Sequence, residues 1–313
     1  MSKIFISIAS YCDSRLADTI ADALDKADDP SRLVFGVVEQ REHEHRLVIS
    51  PEWSNIIRYV GVDPQESRGA CWARALCMSL YAGENFFFQI DSHMLFDKGW
   101  DNLLIRSLME YRRYSNKVII SSYPLAFEVD NGVVTFPPLK DLNIIHVVAP
   151  DTTFVPETYN LSFSGVATPN MPPTKAIALG AGCLFTTGNF VNDIPYDPYF
   201  YFQGEEQALM LRAYTHGWDV YHMPFLPIRH LYNTDQDACY RPRHWAKGID
   251  EKRKERWWEI DKQSKKRLEL LVKGRNLGVY SLGTTRTVKD FISFSGIDYE
   301  TKTVLPKAYT VHR

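Results

Sequence analysis

Short apolar runs alternate with apolar residues at helical spacing along roughly the first two thirds of the chain. An apolar run bounded by polar turns is typical of a buried strand, and the i, i+3, i+4 pattern is typical of a helix. The pattern predicts, in order, a strand at 3–10, a helix at 16–27, a strand at 33–40, a strand at 56–60, a helix at 72–80 and a strand at 85–90. Strands that alternate with helices predict an α/β fold.

The rest of the chain is less regular. The pattern predicts a helix at 102–114, a strand at 118–123, loops with small antiparallel strands over the proline-rich 124–176, order again at 178–186, a helix at 205–216 and a strand at 218–223. Near residue 236 a basic, tryptophan-containing segment begins. We therefore expect an α/β domain at 1–235 and a C-terminal extension at 236–313.

Composition narrows the class of protein. The 313 residues include 36 Lys and Arg against 38 Asp and Glu, and 45% are hydrophobic. A large core is expected, and a nucleic-acid partner is disfavoured without being excluded. Five scattered cysteines without a CxxC pair indicate free thiols in a reducing compartment. The N-terminus turns polar too early for a signal peptide, and no apolar run reaches the about 20 residues of a membrane span. We expect a cytoplasmic protein without membrane contact, and a homodimer stays open.

Two side chains of metal-ligand type end the most apolar run of the chain. Residues 86–90 lead directly into Asp91-Ser92-His93. Residues i and i+2 of an extended segment point the same way, so Asp91 and His93 are predicted to face one ion beyond the carboxyl end of a strand. Carboxylate and imidazole ligands suit Mn²⁺, or Mg²⁺, better than a structural zinc site, and such an ion also binds a diphosphate.

Other features could join this pair or have a purely structural role. Glu205 and Glu206 begin a predicted helix, where carboxylates are also favoured by the helix dipole. His230 follows a proline and could equally be a core histidine, and the Asp-X-His itself could be a turn cap. Arg68 and Arg74 precede the metal strand and could be solvated helix charges.

Five stretches of the chain resemble glycosyltransferase family 60. They are Phe5-Ile6-Ser7-Ile8-Ala9-Ser10-Tyr11, the block from Ser67 to Arg74, Asp91-Ser92-His93, Gln203-Gly204-Glu205-Glu206, and the run from Leu277 to Thr287. Family 60 contains the Skp1-type polypeptide N-acetylglucosaminyltransferases and is similar in its core to the polypeptide GalNAc-transferases. The resemblance implies a GT-A fold, a Rossmann-like mixed sheet flanked by helices, together with a metal-dependent UDP-sugar donor and retention of anomeric configuration.

The resemblance also implies roles for individual residues. Asp91, His93 and His230 match the metal ligands of these enzymes. Gln203-Gly204-Glu205-Glu206 takes the place of a Trp-Gly-Gly-Glu element whose acidic residue contacts the donor sugar, although Phe202 and Gln203 depart from that pattern. The expected catalytic residues are Asp91, Glu205, Glu206 and Arg74. The expected donor-binding residues are Ala9, Ser10, Tyr11, Gln40, Arg68, Arg74, Asp91, Ser92 and Gly204.

The expected reaction follows from these implications. The chain is predicted to move a sugar, GlcNAc as the best match, from a UDP-sugar to an acceptor hydroxyl on a protein: hydroxyproline, Ser or Thr. Alternatives are an acceptor that is a glycan, a small molecule or a modified nucleobase, or a nucleotide-sugar-binding module without turnover. The C-terminal extension, including Arg241, Arg243, Trp245 and the turn at 283–286, is expected to shape the acceptor side.

Overall fold

The structure is a computed structural model that describes residues 2–137, 142–169, 172–232 and 241–310. Its strands are β1 (Ile4–Tyr11), β2 (Leu33–Gln40), β3 (Ile57–Val62), β4 (Phe86–Ile90), β5 (Met94–Phe96), β6 (Val118–Ser121), β7 (Leu125–Ala126), β8 (Glu128–Asp130), β9 (Val133–Thr135), β10 (Leu142–Val148), β11 (Phe163–Pro169), β12 (Thr174–Lys175), β13 (Cys183–Thr187), β14 (Asp219–His222), β15 (Ile228–His230), β16 (Ile297–Asp298) and β17 (Thr303–Val304). Its α-helices are α1 (Leu16–Lys26), α2 (Ala70–Ser79), α3 (Trp100–Tyr111), α4 (Asn189–Asp193), α5 (Glu205–Thr215), α6 (Lys247–Asp250), α7 (Trp257–Val272) and α8 (Val288–Ser295). Short 3-10 helices cover Pro30–Arg32, His43–His45, Pro64–Glu66, Gly278–Tyr280 and Pro306–Tyr309.

The main sheet is mixed, with the strand order β12-β14-β6-β13-β4-β1-β2-β3. β1 pairs in parallel with β2 and β4, whereas β13 is antiparallel to both of its neighbours. Because β1, β2 and β4 run in the same direction, their carboxyl ends at Tyr11, Gln40 and Ile90 meet at one edge of the sheet. The α/β class predicted from the hydrophobic pattern is confirmed.

The aromatic run of β4 is explained by burial on both faces of the sheet. Phe87 packs into a cluster with residues of α2, α5, α7 and α8, while Phe86 and Phe88 pack on the opposite face with α1 and α3. Alternate residues of a strand point to opposite faces, so a continuous apolar run indicates a strand covered by helices on both sides. All five residues of β4 are buried. This burial fixes β4, and with it the start of Asp91-Ser92-His93.

The C-terminal part of the chain shares a core with the rest. Leu268 of α7 and Phe291 of α8 belong to the same buried cluster as Phe87. The predicted domain boundary at 235/236 lies outside the described residues, so the division remains a prediction. Four of the cysteines, Cys12, Cys71, Cys77 and Cys183, have free thiols, and Cys239 lies outside the described residues. Within the described ranges, no helix is long and apolar enough to cross a bilayer.

The turn at 283–286 packs against the C-terminal end of α5. The Gly283 N–H donates to Thr215 Oγ1 at 2.9 Å, and Arg286 pairs with Asp219 at 3.0 Å. Thr215 ends the helix that Glu205 begins, so the turn lies about 15 Å along the axis of α5 from that carboxylate. The turn caps the C-terminal end of α5, and its role on the acceptor side stays a prediction.

Gly283→Ala is expected to destabilise the fold by about 1–3 kcal/mol, because a Cβ there would lie 2.5 Å from the Thr215 carbonyl oxygen and 2.6 Å from the His216 nitrogen. Backbone atoms cannot move aside as a flexible side chain can. Urea denaturation measures the loss. The matched control is Gly248→Ala, since nothing lies within 4 Å of a Cβ at Gly248. Equal midpoints for the two variants would contradict this packing.

Candidate metal centre

Asp91, His93 and His230 meet at the carboxyl edge of the main sheet. One ligand atom from each lies within 4.8 Å of the others. The Nε2 atoms of His93 and His230 are 2.9 Å apart, and His230 Nε2 is 3.3 Å from Asp91 Oδ2. These three side chains are called the metal triad below.

Strand pairing brings the distant His230 to the pair. β5 begins directly after His93 and pairs antiparallel with β15, so that His230 lies opposite Met94. This short ladder, which lies outside the main sheet, thereby brings together His93 and His230, which are 137 residues apart in the chain. The third member of the triad is fixed by backbone hydrogen bonds, not by a loop alone.

The pKa shifts of Asp91 and His230 suit a divalent cation. Burial on its own raises the pKa of Asp91, but its hydrogen bond with His230 and the nearby Arg74 charge outweigh burial and hold the pKa well below its usual range. Burial lowers the pKa of His230, which favours the neutral imidazole that binds metals. One carboxylate and two imidazoles form a mixed N/O ligand set, and this set fits Mn²⁺.

Asp13 orients the histidine of the Asp-X-His. Its Oδ2 lies 2.7 Å from His93 Nδ1 and accepts the Ser92 hydroxyl at 2.7 Å, while Oδ1 accepts the Arg15 N–H at 2.9 Å. Since Asp13 holds Nδ1–H of His93, Nε2 is left with its lone pair toward the triad. Sequence analysis missed Asp13, although its place two residues beyond the carboxyl end of β1 is a signal of the kind that identified Asp91.

Arg74 joins Asp91 to the start of α5. Its Nη2 donates to Asp91 Oδ1 at 2.7 Å, and its Nη1 donates to Glu205 Oε1 at 2.7 Å. The Tyr196 hydroxyl also donates to Glu205 Oε1. Tyr196, which sequence analysis missed, carries no signal in the linear pattern.

Gly182 leaves room for the Asp91 carboxylate. Gly182 precedes β13, and its carbonyl accepts the Asp91 N–H at 3.3 Å. A Cβ at this position would lie 2.4 Å from Asp91 Oδ2, the oxygen that faces His230. A glycine is therefore required beside the metal triad for steric reasons, and no motif in the sequence indicated this.

The triad stands between two cavities. The first, called the Tyr11 cavity, has a volume of about 480 Å³, and the second, called the Glu206 cavity, has a volume of about 380 Å³. Four residues line both: Arg74, Asp91, Phe202 and His230. A ligand that fills both cavities must therefore pass the triad.

Most of the expected donor-binding residues line one of these cavities. The Tyr11 cavity includes Ala9, Tyr11, Gln40, Arg74, Asp91 and Ser92, and the Glu206 cavity includes Gly204, Arg74 and Asp91. Gln40 is held in place because its amide donates to the Ser10 carbonyl at 3.0 Å and accepts the Ser67 hydroxyl.

Two expected donor-binding residues are placed elsewhere. Ser10 is fully buried and lines neither cavity, because successive residues of β1 face opposite sides and Ala9 and Tyr11 take the cavity side. Arg68 is half-exposed and pairs with Glu255 at 3.0 Å. Neither of these two side chains lines either cavity, so their role in donor binding stays a prediction.

The C-terminal segment forms one wall of the Tyr11 cavity. Residues 241–245, including Arg241, Arg243 and Trp245, line the Tyr11 cavity. Arg241 lies 3.7 Å from Asp13, and the Trp245 ring packs on Phe202 with centroids 5.3 Å apart. The basic groups beside the triad therefore come from Arg74 and from this late segment.

Glu205 and Glu206 are adjacent but have different partners. Glu205 binds Arg74 and Tyr196, whereas Glu206 accepts the Ala181 N–H at 2.8 Å and the Tyr123 hydroxyl at 2.9 Å. Burial raises the pKa of Glu206 to about 7, although its two donors act in the opposite direction. Glu206 therefore has a carboxyl pKa near neutral pH.

The sequence matches a family profile described as Glycosyltransferase (GlcNAc) over residues 3–55 and 53–301. The chain belongs to this glycosyltransferase family. No curated protein sequence matches the chain. The match covers both the strands that carry the metal triad and most of the C-terminal segment, and the narrower likeness to family 60 stays an expectation.

The GalNAc-T7 structure agrees with this fold. The crystal structure of GalNAc-T7 with UDP, GalNAc and Mn²⁺ superposes with a TM-score of 0.58 at 12% identity, covering 98% of this chain and 59% of that chain. A crystal structure of S. aureus TarS 1-349 has a TM-score of 0.40 at 15% identity, with 71% and 60% covered. The chain thus spans about three fifths of the length of each. The GT-A fold implied by the resemblance is confirmed.

Asp13→Asn is expected to weaken Mn²⁺ binding about 10- to 100-fold, because an amide is a poorer partner for His93 Nδ1–H than a carboxylate. Mn²⁺ electron paramagnetic resonance measures the dissociation constant without any turnover. The control is Asp25→Asn on α1, an exposed residue whose partner is Lys26. An Asp13→Asn protein that is folded by circular dichroism and binds Mn²⁺ like the wild type would refute the orienting role.

Glu206 is expected to make stability depend on pH between about 4.5 and 7. Its pKa is raised on folding from 4.5 to about 7, so the folded state holds the proton more tightly than the unfolded state. The contribution of Glu206 to the free energy of unfolding is largest below pH 4.5 and falls by about 3 kcal/mol as pH rises through 7. Glu206→Gln removes the titration and should abolish this component. Parallel unfolding curves for both proteins across this range would contradict the assignment.

Proposed function

We propose that this glycosyltransferase moves a sugar, GlcNAc as the best match, from a UDP-sugar to an acceptor hydroxyl with retention of configuration. Mn²⁺, or Mg²⁺, would be held by Asp91, His93 and His230. The observation that carries the proposal is the position of the metal triad between two cavities that share Arg74, Asp91, Phe202 and His230. A donor consists of a nucleotide and a sugar joined by a diphosphate, and this arrangement matches its three parts.

The Tyr11 cavity suits the nucleotide. Tyr11 and Trp245 supply aromatic surface, and Gln40 supplies a fixed amide at the end of β2. Arg241 and Arg243 add positive charge on the side of the triad where the diphosphate would lie. The presence of UDP and Mn²⁺ in the GalNAc-T7 crystal structure supports a UDP-sugar as the donor and Mn²⁺ as the ion.

The Glu206 cavity suits the sugar and the acceptor. Its polar lining includes Glu206 and Asn160, and the half-exposed rings of Phe202 and Tyr232 lie at its border. When bound, the metal ion neutralises negative charge on the leaving diphosphate. Arg74 adds a second positive charge that is fixed before the reaction.

Retention without a protein nucleophile is supported by the state of the carboxylates. Asp91 accepts a hydrogen bond from Arg74, Glu205 from Arg74 and Tyr196, and Glu206 from Tyr123 and the Ala181 N–H. Each of the three is committed to partners within the protein. Attack by the acceptor hydroxyl on the same face as the departing UDP therefore fits this site better than a glycosyl-enzyme intermediate.

The proposed acceptor is a hydroxyl group of a protein: hydroxyproline, Ser or Thr. This part of the proposal rests on the resemblance to family 60. A glycan, small-molecule or nucleobase hydroxyl is the alternative acceptor, and a non-catalytic nucleotide-sugar-binding module is the alternative function.

UDP release from UDP-GlcNAc is expected to require Mn²⁺ and to stop when EDTA removes the ion. Asp91→Ala and His93→Ala should each lower the rate by roughly a hundredfold or more, because each removes a ligand of the ion that stabilises the leaving group. A coupled assay for UDP measures the rate, and proton NMR of the product gives the anomeric configuration.

The matched control is Arg68→Ala, which should keep the wild-type rate because Arg68 pairs with Glu255 outside both cavities. Absence of metal-dependent UDP release with UDP-GlcNAc, UDP-GalNAc and UDP-glucose would overturn the transferase proposal. Metal-dependent binding of UDP-GlcNAc without release would instead favour the binding module.

A further inference from the structure

The Arg74 guanidinium is buried between two carboxylates that belong to different elements. Nη2 lies 2.7 Å from Asp91 Oδ1 and Nη1 lies 2.7 Å from Glu205 Oε1. Only 9% of the Arg74 side chain and 6% of the Glu205 side chain are exposed. At this depth, little solvent screens the interaction between Arg74 and Glu205, whereas the Asp91 side chain is 26% exposed on the side of the cavities.

This arrangement controls how much of the Asp91 charge a cation can use. Arg74 occupies Asp91 Oδ1, which leaves Oδ2 toward His230 at 3.3 Å. A guanidinium with a single carboxylate partner would draw that carboxylate toward itself and compete with a divalent ion. Because Glu205 supplies a second negative charge to Arg74, Asp91 is not the only group that compensates it.

Glu205 is itself held in place by a chain that returns to the metal strand. The Tyr196 hydroxyl donates to Glu205 Oε1, and the Gln89 amide donates to the Tyr196 hydroxyl oxygen at 3.3 Å. Gln89 lies two residues before Asp91 on β4, and its amide also donates to the Ala181 carbonyl at 2.7 Å. The chain links α5, α2, β4 and the residues before β13 into one closed network.

We propose that Glu205 is a positioning residue of the metal centre, which acts through Arg74 on Asp91 and sets the affinity for the cation. The inference rests on the proposed function for the identity of the ion. It separates Glu205 from its neighbour Glu206, whose partners are Tyr123 and the Ala181 N–H. A direct role in binding the sugar, or as a nucleophile, is therefore not assigned to Glu205.

The test is the Mn²⁺ dissociation constant of Glu205→Gln, measured by electron paramagnetic resonance without nucleotide or sugar. Glutamine keeps the size and the acceptor oxygen but removes the charge, so Arg74 is compensated by Asp91 alone. The expected result is a roughly 10-fold or greater increase in the dissociation constant, in the range found for residues that orient metal ligands. Glu206→Gln is the matched control and should leave the Mn²⁺ affinity unchanged.

Kinetics provide a second readout. Glu205→Gln should raise the Mn²⁺ concentration needed for half-maximal UDP release, while kcat at saturating Mn²⁺ stays within a few-fold of the wild type. Wild-type Mn²⁺ affinity with a large loss of kcat would overturn the proposal, since it would place Glu205 against the substrate. Should Glu205→Gln fail to fold, Tyr196→Phe provides a second test, because it removes the hydroxyl that donates to Glu205 and accepts from Gln89. This variant should also weaken Mn²⁺ binding, and unchanged affinity would refute the network.

The Mn²⁺ affinity and the transferase activity test the positioning role and the proposed function separately. Because the affinity measurement needs no donor sugar, an inactive protein whose Mn²⁺ affinity still depends on Glu205 would contradict sugar transfer but support the positioning role. An active protein whose Mn²⁺ affinity is the same with and without the Glu205 charge would support sugar transfer but contradict the positioning role.

Discussion

The parallel pairing of β1 with β2 and β4 is the constraint on which the site depends. It brings the residues that follow three separate strands to one edge, so that Asp13, after β1, contacts Ser92 and His93, after β4. Burial of Phe87 on one face and of Phe86 and Phe88 on the other holds the central strand against sliding. A slip of one residue would turn each phenylalanine to the wrong face and move Asp91 away from Arg74 and Gly182.

The sequence predicted those parts of the site whose signal is local. Asp91 and His93 follow an apolar run directly, and the hydrophobic period alone placed them at a strand end. Contacts made by the fold give Asp13, Tyr196 and Gly182 their roles. A hydrophobic periodicity contains no information about such contacts. The likeness to a known family supplied His230, which the β5–β15 ladder brings to the pair.

Residues whose position differs from the sequence-based expectation are placed there for equally physical reasons. Arg68 and Arg74 are close in sequence and alike in chemistry, but only Arg74 lies on the helix face that meets buried carboxylates, and Arg68 faces Glu255. Ser10 does not line the cavity because side chains alternate along a strand, and its neighbours Ala9 and Tyr11 occupy the cavity side of β1. For Arg241 and Arg243, the linear pattern showed a basic segment but not the side of the triad it would reach.

The wall formed by residues 241–245 has a consequence for how this protein is made. Tyr11 and Gln40 leave the ribosome before residues 241–245, which complete their cavity and follow Gln40 by about 200 positions, and Arg253 donates to the Tyr11 hydroxyl. A nascent chain that has completed β1 to β4 therefore carries Asp91 and His93 without the surface that covers them. A ligand can therefore contact the complete wall of the Tyr11 cavity only after residues 241–245 have been synthesised and have packed against the strands that precede them.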